Sequence, residues 1–165
     1  CLSKRWYFLI FKTNRMKLPK ELYNGIIIFI GIGLYFLLME ALDLAGQFSL
    51  RLFNILFVFY GANRTLKSNF LEGKKDFTFN AISALVTSLT GVFLSIIGLI
   101  MYSYWKGGDQ YVQSLSKTLL FGGDPSIMTY SISLLFEGIV SAVIVTFILM
   151  LYWDTRYASD KHGNN

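Results

Sequence analysis

Residues 22–42 read LYNGIIIFIGIGLYFLLMEAL, and this stretch decides the fold class. No charged side chain occurs in it before Glu40. Its apolar length matches the ~20 residues that a helix rising ~1.5 Å per residue needs to cross ~30 Å of hydrocarbon. A cleavable signal peptide has a shorter apolar core and a small-residue cleavage site, so the stretch predicts a retained transmembrane helix.

Three further apolar blocks follow, at residues 48–62, 77–105 and 127–153. The first of these is short, but the arginines that bracket it, Arg51 and Arg64, can extend outward and lengthen the span. The other two are long enough to span with tilt, and both end in aromatic residues suited to a membrane interface. We therefore predict an all-α membrane protein with four transmembrane helices in two consecutive hairpins.

The composition agrees with a membrane protein. Hydrophobic residues make up 54% of the 165 residues and charged residues only 15%, whereas soluble domains carry about 25% charged residues. The mean hydropathy is positive. A chain of this length is expected to form one domain, and lipid is its expected surroundings.

The distribution of Lys and Arg predicts the orientation, because cytoplasmic segments hold the excess. Three of the 15 basic residues fall on one predicted side, namely Arg51, Lys106 and Lys117. The other twelve fall on the opposite side, in the N-terminal tail, the second loop and the C-terminal tail. This alternation requires four spans and places both termini in the cytoplasm, as expected for a protein of the bacterial inner membrane. The net charge of +5 then reflects topology and attraction to anionic lipid, and no nucleic-acid partner is predicted.

The predicted organisation is a basic cytoplasmic tail over residues 1–21, a transmembrane domain over 22–153 and a polar cytoplasmic tail over 154–165. Met16 opens a segment typical of the N-terminus of a small inner-membrane protein, so residues 1–15 are interpreted as an extension. An N-terminal Cys1 also allows a lipid-modified lipoprotein, but that route delivers the N-terminus outside. The lone His162 lies in a tail expected to be disordered.

The outer loop, residues 106–126, is the one sizeable extramembrane segment on its side. A Gly-Gly-Asp sequence marks a turn at each end of it, at 107–109 and 122–124. Apolar residues recur between the turns at helical spacing: Val112, Leu115 and Leu119. With Asp109 as an N-cap, this pattern predicts a short amphipathic helix on the outer membrane surface. A lid over the outer end of the bundle and a docking site for a partner are the alternatives.

Glu137 breaks the apolar pattern of the fourth block near mid-membrane, where an acid costs about 3 kcal/mol or more and should face protein or water. Ser133 and Ser141 lie four residues to either side, so the three residues form a polar stripe predicted to point inward. A protonatable carboxyl in a proton or ion pathway, or a counter-ion for a cationic substrate, is one interpretation. A neutral Glu bonded to Asn54 or Asn80, holding the bundle together, is the second, and contact with a partner is the third.

Charged residues also cluster at the outer end of the first predicted hairpin, where Glu40 and Asp43 precede Arg51. A carboxylate that pairs with Arg51 would neutralise a charge that otherwise shortens the second span. We interpret the cluster as a structural contact, with a substrate gate as the alternative.

Small residues recur along the third block with alternating spacings of four and three: Ala84, Ser88, Gly91, Ser95 and Gly98. Such a seam lets another helix approach closely within a membrane. Gly138 and Ala142 offer a matching surface, so the third span is predicted to pack on the fourth. A homodimer interface through the same seam is the alternative.

No catalytic pattern occurs in the sequence. Gly31-Ile32-Gly33 lies inside an apolar helix with no strand before it, so it does not indicate a nucleotide loop. Ser-His-Asp sets, paired catalytic carboxylates, metal-ligand spacing and Walker motifs do not occur. We predict no enzyme activity, no cofactor and no metal.

A basic loop with a central glycine leads into a phenylalanine-rich helix start, RTLKSNFLEGKKDFTFN at residues 64–80. This stretch, in a four-span chain of this size, resembles the uncharacterised four-helix integral membrane proteins of Bacteroidota, a domain of unknown function. The resemblance covers the layout of residues 16–157 and implies no activity and no functional residues.

Two functions of different class follow from the sequence. The first is a non-catalytic structural or accessory subunit that packs in the bilayer with itself or with a larger membrane complex. The second is a small transporter or channel protomer that uses Glu137. Membrane lipid is the one partner that both hypotheses require.

Overall fold

The computed structural model describes residues 18–116 and 125–162, and these residues form helices and turns without strands. The helices are α1 Lys20–Ala41, α2 Phe48–Arg51, α3 Asn54–Leu71, α4 Phe77–Lys106, α5 Asp109–Leu115 and α6 Ile127–His162. The all-α prediction is confirmed for this part of the chain. The N-terminal tail, with Cys1 and Met16, lies outside the described residues.

Three of the helices are long and apolar enough to cross a membrane: α1, α4 and α6 as far as Arg156. Their length and composition indicate an integral membrane protein. The second long helix in chain order, α3, does not belong to this group. It has 18 residues and carries both Arg64 and Lys67.

The second apolar block differs in shape from the expectation of a helix over residues 48–62. Its first four residues form α2, a turn at Leu52 and Phe53 with helical backbone angles and i to i+3 hydrogen bonds follows, and α3 then runs to Leu71. The extension beyond Ala62 is stabilised by burial, because Thr65, Leu66 and Asn69 all point into the bundle.

Cross-helix contacts define the direction of each helix. The Lys20 ammonium at the start of α1 lies 2.7 Å from the Glu72 carboxylate just after α3. At the other end of α1, the Glu40 carboxylate accepts a hydrogen bond from the Tyr102 hydroxyl near the end of α4. On α6, the Trp153 indole donates to Asn63 of α3 over 2.9 Å. Thus α1 and α4 run in one direction and α3 and α6 in the other.

We call the end of the bundle that carries the α3–α4 turn the hairpin end, and the end that carries α5 the lid end. The long helices pack around α4, which contacts α1, α3 and α6. The half of the bundle next to the hairpin end is called the hairpin half, and the half next to the lid end is called the lid half.

A side chain of α1 fills the space between two glycines in the hairpin half. Ile28 is 1% exposed and lies against Gly61 of α3 and Gly91 of α4. A Cβ atom added to Gly61 would be 2.4 Å from Ile28, and one added to Gly91 would be 2.5 Å away. Glycine at both positions lets three helices approach closely, as is usual in membrane packing. The surrounding core contains Val58, Ala62, Leu66, Ala84, Val145 and Leu149.

Buried polar side chains in the hairpin half bond to one another. Asn24 of α1 donates from Nδ2 to Thr65 Oγ1 of α3 over 2.8 Å, and the Thr65 and Thr87 hydroxyls are 2.9 Å apart. All three residues are buried. Hydrogen bonds between helices offset the cost of placing polar groups in an apolar interior.

The turn between α3 and α4 is closed by two asparagines. Asn69 Nδ2 donates to Asn80 Oδ1 over 2.8 Å, and Asn80 Nδ2 donates to the carbonyls of Lys74 and Asp76. Asp76 caps α4 by accepting a 2.7 Å hydrogen bond from the Phe79 amide. The hairpin end is therefore held by polar contacts as well as by packing.

The short helix α5 closes the lid end. Val112 is 0% exposed and Leu115 is also buried, and they belong to the same core as Met39 of α1 and Tyr130 of α6. The expected position on the membrane surface is therefore wrong, and the lid alternative describes α5. The apolar face of α5 packs against core residues of the long helices at this end of the bundle. Leu119 and residues 122–124 lie outside the described residues.

Asp109 was expected to cap the helix that it begins. Its carboxylate instead accepts a 2.8 Å hydrogen bond from the Ile127 amide, at the start of α6, and Gly108 is the N-cap residue of α5. The side chain thus ties the lid helix to α6. At the other end of α6, the polar residues after Trp153 continue the helix to His162, where a disordered tail was expected.

Candidate functional site

The lid half contains a cavity of about 530 Å³ between α1, the α2–α3 segment, α4 and α6. This volume lies within the range of small-molecule pockets, ~300–1,000 Å³. Its walls are mostly apolar and aromatic, and they include Phe29, Ile32, Phe36, Leu99 and Leu134. Such walls suit an apolar molecule or the apolar part of an amphipathic one.

Glu137 of α6 lines this cavity and is partly buried. Among the residues that the structure describes, none hydrogen-bonds to or forms an ion pair with its carboxylate. The predicted bond to Asn54 or Asn80 is not formed, since Asn80 bonds at the hairpin end and Asn54 Oδ1 is buried without a partner. The side chain therefore faces space inside the protein.

The polar stripe predicted on α6 is only partly directed at the cavity. Ser141 lines it with Glu137, but Ser133 donates to the Thr129 carbonyl of its own helix over 3.1 Å and lies outside the lining. Positions four apart turn by ~40° around an α-helix, so the run from Ser133 to Ser141 turns by ~80°. One end of the stripe leaves the interior for this reason.

Arg51 also lines the cavity. Its Nη1 donates to the Tyr130 hydroxyl of α6 over 2.6 Å, and the centre of its guanidinium is 5.8 Å from the Tyr130 ring centroid. The predicted partner was a carboxylate from Glu40 or Asp43. The α2 turn directs Arg51 into the bundle and towards α6, whereas Asp43 is exposed in the turn after α1 with a positive φ of 56°.

Glu40 takes part in a separate contact near the cavity. Its carboxylate accepts from the Tyr102 hydroxyl and lies 3.2 Å from the Lys106 ammonium, so it ties the ends of α1 and α4 together. Lys106 also lies over the Tyr102 ring at 5.6 Å. Nearby in the lid helix, burial raises the pKa of the Tyr111 phenol, which keeps that hydroxyl neutral.

The small-residue seam of α4 faces two neighbours instead of one. A Cβ atom on Gly91 or Gly98 would meet Ile28 or Phe29 of α1, whereas one on Gly138 of α6 would meet Val92 of α4. The other members of the set that pack inside the bundle are Ala84, Ser88 and Ala142, all 0% exposed. Ser95 lines the cavity. The seam is therefore used within the chain, because α4 is central and its small residues serve α1 as well as α6.

Two aromatic residues of the site were not singled out from the sequence. Tyr130 lies seven residues before Glu137, a spacing that places both on one face of a helix. This signal was present in the sequence and could have identified Tyr130. Tyr102 gives no such signal, because its contact with Glu40 depends on which helices are neighbours.

No family model, curated protein or solved structure matches this chain. The resemblance to four-helix proteins of Bacteroidota therefore stays a prediction.

The cavity lies in one half of the bundle and is closed off from the opposite end. The cavity occupies the lid half, whereas the hairpin half is filled by the packing around Ile28 and the Asn24–Thr65–Thr87 contacts. A molecule in the cavity is therefore separated from the hairpin end by packed side chains.

Proposed function

We propose that the chain crosses the membrane four times, with both termini in the cytoplasm of a bacterial cell. The antiparallel course of α3 beside α1 and α4 supports a fourth crossing. The distribution of charge supports the orientation, since six basic residues in the described part of the chain are near the hairpin end, namely Lys20, Arg64, Lys67, Lys74, Lys75 and Arg156. Only Arg51 and Lys106 are near the lid end in the described part of the chain. The hairpin end is then cytoplasmic.

We further propose that the protein is a non-catalytic binding protein that acts as a small transporter protomer, with its solute held in the lid-half cavity. One observation carries this proposal: the Glu137 carboxylate lines a cavity of about 530 Å³ and has no partner among the described residues. Unpaired ionisable groups within a membrane are expensive and usually serve a function. A bound solute would supply the missing partner.

The packed hairpin half fits one step of a transport cycle. In this state the packed hairpin half closes the cavity on one side and α5 closes it on the other, so a solute would enter from the bilayer or, once α5 moves aside, from the lid end. Release on the other side then requires the helices to rearrange around Ile28. Access from one side at a time is the general requirement for a transporter as opposed to an open pore.

Reconstitution into sealed vesicles tests the role of Glu137. Proton movement is followed with a pH-sensitive dye inside the vesicles, under an imposed membrane potential, for the wild type and Glu137→Gln. We expect the flux to fall at least about tenfold in the variant, because the amide cannot exchange a proton. Ser133→Ala, on the same helix but outside the cavity, is the matched control and should retain the wild-type flux. Equal proton flux in the wild type and Glu137→Gln would exclude a role of the carboxyl in proton movement.

The accessory-subunit hypothesis has a separate observation in its favour. Leu71 is 76% and Phe77 is 55% exposed at the tip of the hairpin end, beside the exposed Lys74 and Lys75. These side chains would project from the membrane domain on the cytoplasmic side. An apolar patch rimmed by charge is typical of a contact with another protein.

Mass analysis after extraction in a mild detergent tests the second hypothesis. A wild-type complex that a Leu71→Ser, Phe77→Ser variant loses would support a subunit role. Gly33→Ala, whose position lies on the cavity wall, serves as the control and should leave such a complex intact. A wild-type monomer with no co-purifying protein would count against the hypothesis.

A further inference from the structure

The cavity brings together two opposite charges. Arg51 lines it close to the lid end, where it is bonded to Tyr130, and Glu137 lines it deeper in the bundle. Tyr130 and Glu137 are seven residues apart on one helix, which separates them by ~10 Å along its axis. A molecule in the cavity therefore meets a positive group at one level and a negative group at another.

The surroundings make the total charge of the occupant important. Apolar walls and lipid screen charge weakly, so an unbalanced charge in such a place costs several kcal/mol. Arg51 and Glu137 together sum to zero. A ligand with one charge would leave the site with a net charge, whereas a ligand with one positive and one negative group would leave it neutral and complement both residues.

We propose that the ligand is a zwitterionic amphiphile. Its acidic group, a phosphate or a carboxylate, binds the Arg51 guanidinium, and its amine donates to the Glu137 carboxylate. Its apolar part lies against Phe29, Ile32 and Leu99. Guanidinium groups are well suited to carboxylate and phosphate oxygens. This inference rests on the proposed function, since it names the class of solute that the same cavity holds.

Two sources could supply this chemistry: a membrane lipid with a zwitterionic head group, and a free amino acid with an apolar side chain. The two share an acid and an amine a few bonds apart, attached to an apolar group. They differ in the length of the apolar part, so competition between a lipid and an amino acid for binding to the protein separates the two sources.

Binding of matched probes to the purified full chain in a non-ionic detergent tests the inference. The probes are a lysophosphatidylethanolamine, a fatty acid and an alkylamine with the same chain length, and leucine; bound probe is measured by native mass spectrometry. We expect the zwitterionic lipid to bind at least about tenfold more tightly than the fatty acid or the alkylamine. Competition by leucine at equal concentration would identify a free amino acid as the source, and failure of leucine to compete would identify a lipid.

Charge-changing variants sharpen the test. Glu137→Gln leaves Arg51 as the one charge of the pair, so the preference should move to the fatty acid. Arg51→Gln should move it to the alkylamine. Glu72→Gln, an equivalent change on the exposed turn after α3, should leave the order unchanged. If Arg51→Gln does not fold, the order of affinities in the wild type still decides the question.

The results separate this inference from the proposed function. Equal affinity of the wild type for the three charge classes would overturn the zwitterion inference and leave a binding cavity. No probe binding, together with equal proton flux in the wild type and Glu137→Gln, would overturn the proposed function as well.

Discussion

The hairpin half and the lid half of this bundle are built from the same long helices, yet they differ in how tightly they are packed and in how their polar side chains are paired. In the hairpin half, Ile28 fills the gap between two glycines, and Asn24, Thr65 and Thr87 bond to one another. In the lid half, a cavity remains, and Glu137 has no partner among the described residues. The lid half therefore offers both space and an unpaired carboxylate, and binding is the function that we propose for it.

The contrast also separates two uses of polar residues in a membrane. Paired groups between helices hold those helices in register and add modestly to stability. Unpaired groups cost stability and are retained where they serve a function. Substitutions matched between the two halves can measure this difference.

Glycine substitutions should give the largest difference. Gly91→Ala places a methyl group 2.5 Å from Ile28 Cγ2 and 3.2 Å from the Gly25 carbonyl, so we expect a loss of about 3 kcal/mol from overpacking. Gly33→Ala meets nothing within 4 Å and should gain up to about 1 kcal/mol from helix propensity. Thermal unfolding in detergent, followed by circular dichroism, compares them. Similar unfolding midpoints would mean that the hairpin half is not the tighter one.

Asparagine substitutions should give the next largest difference. Asn80→Leu removes the acceptor of Asn69 and the donor to two backbone carbonyls, which should cost about 2 kcal/mol. Asn54→Leu, at the cavity, removes an amide whose oxygen is buried without a partner. It should change stability by no more than about 0.5 kcal/mol. The same unfolding measurement applies, and a larger loss for Asn54→Leu would reverse the comparison.

Glu137→Gln should raise the stability of the folded protein although it lowers the flux. The amide avoids the cost of a carboxylate without a partner, and we expect a gain of about 1 kcal/mol. Unfolding of the detergent-solubilised variant and the wild type at neutral pH measures it. A clear loss of stability would indicate that the carboxylate is a structural contact.

Acid should weaken the hairpin end by a small amount. The Lys20 ammonium, and after it that of Lys74, lowers the pKa of Glu72 from 4.5 to about 2. Because the folded-state pKa is lower, this contribution to stability is complete above pH 4.5 and is lost as the pH falls towards 2. The ion pairs are exposed, so the effect is minor. The unfolding midpoint of Glu72→Gln should fall less than that of the wild type over this range, and parallel curves would contradict the assignment.

Much of the architecture could be predicted from sequence because it depends on local patterns. Apolar length predicted both ends of α1 and α4 and the start of α6 within two residues, whereas α6 ends nine residues beyond the predicted 153. The spacing of Val112 and Leu115 predicted α5. The inward direction of Glu137 followed from the cost of exposing an acid to lipid. Each of these inferences uses only residues that are neighbours along the chain.

The contacts between helices could not be predicted in the same way. The sequence predicted that Arg51 pairs with one of the nearby acids, whereas in the bundle Arg51 donates a hydrogen bond to Tyr130 of α6. The sequence predicted that the glycines of α4 pack on α6, but Gly91 and Gly98 face α1. Which helix lies beside which depends on the packing of the whole bundle.

The seating of Ile28 between Gly61 and Gly91 has a consequence for evolution. The three positions share one fixed volume, so a larger residue at 61 or 91 can be accommodated only if residue 28 becomes smaller. Natural variants of this protein should therefore change these positions together, and substitution at one of them alone should be rare. Such covariation would join three helices through a single side chain.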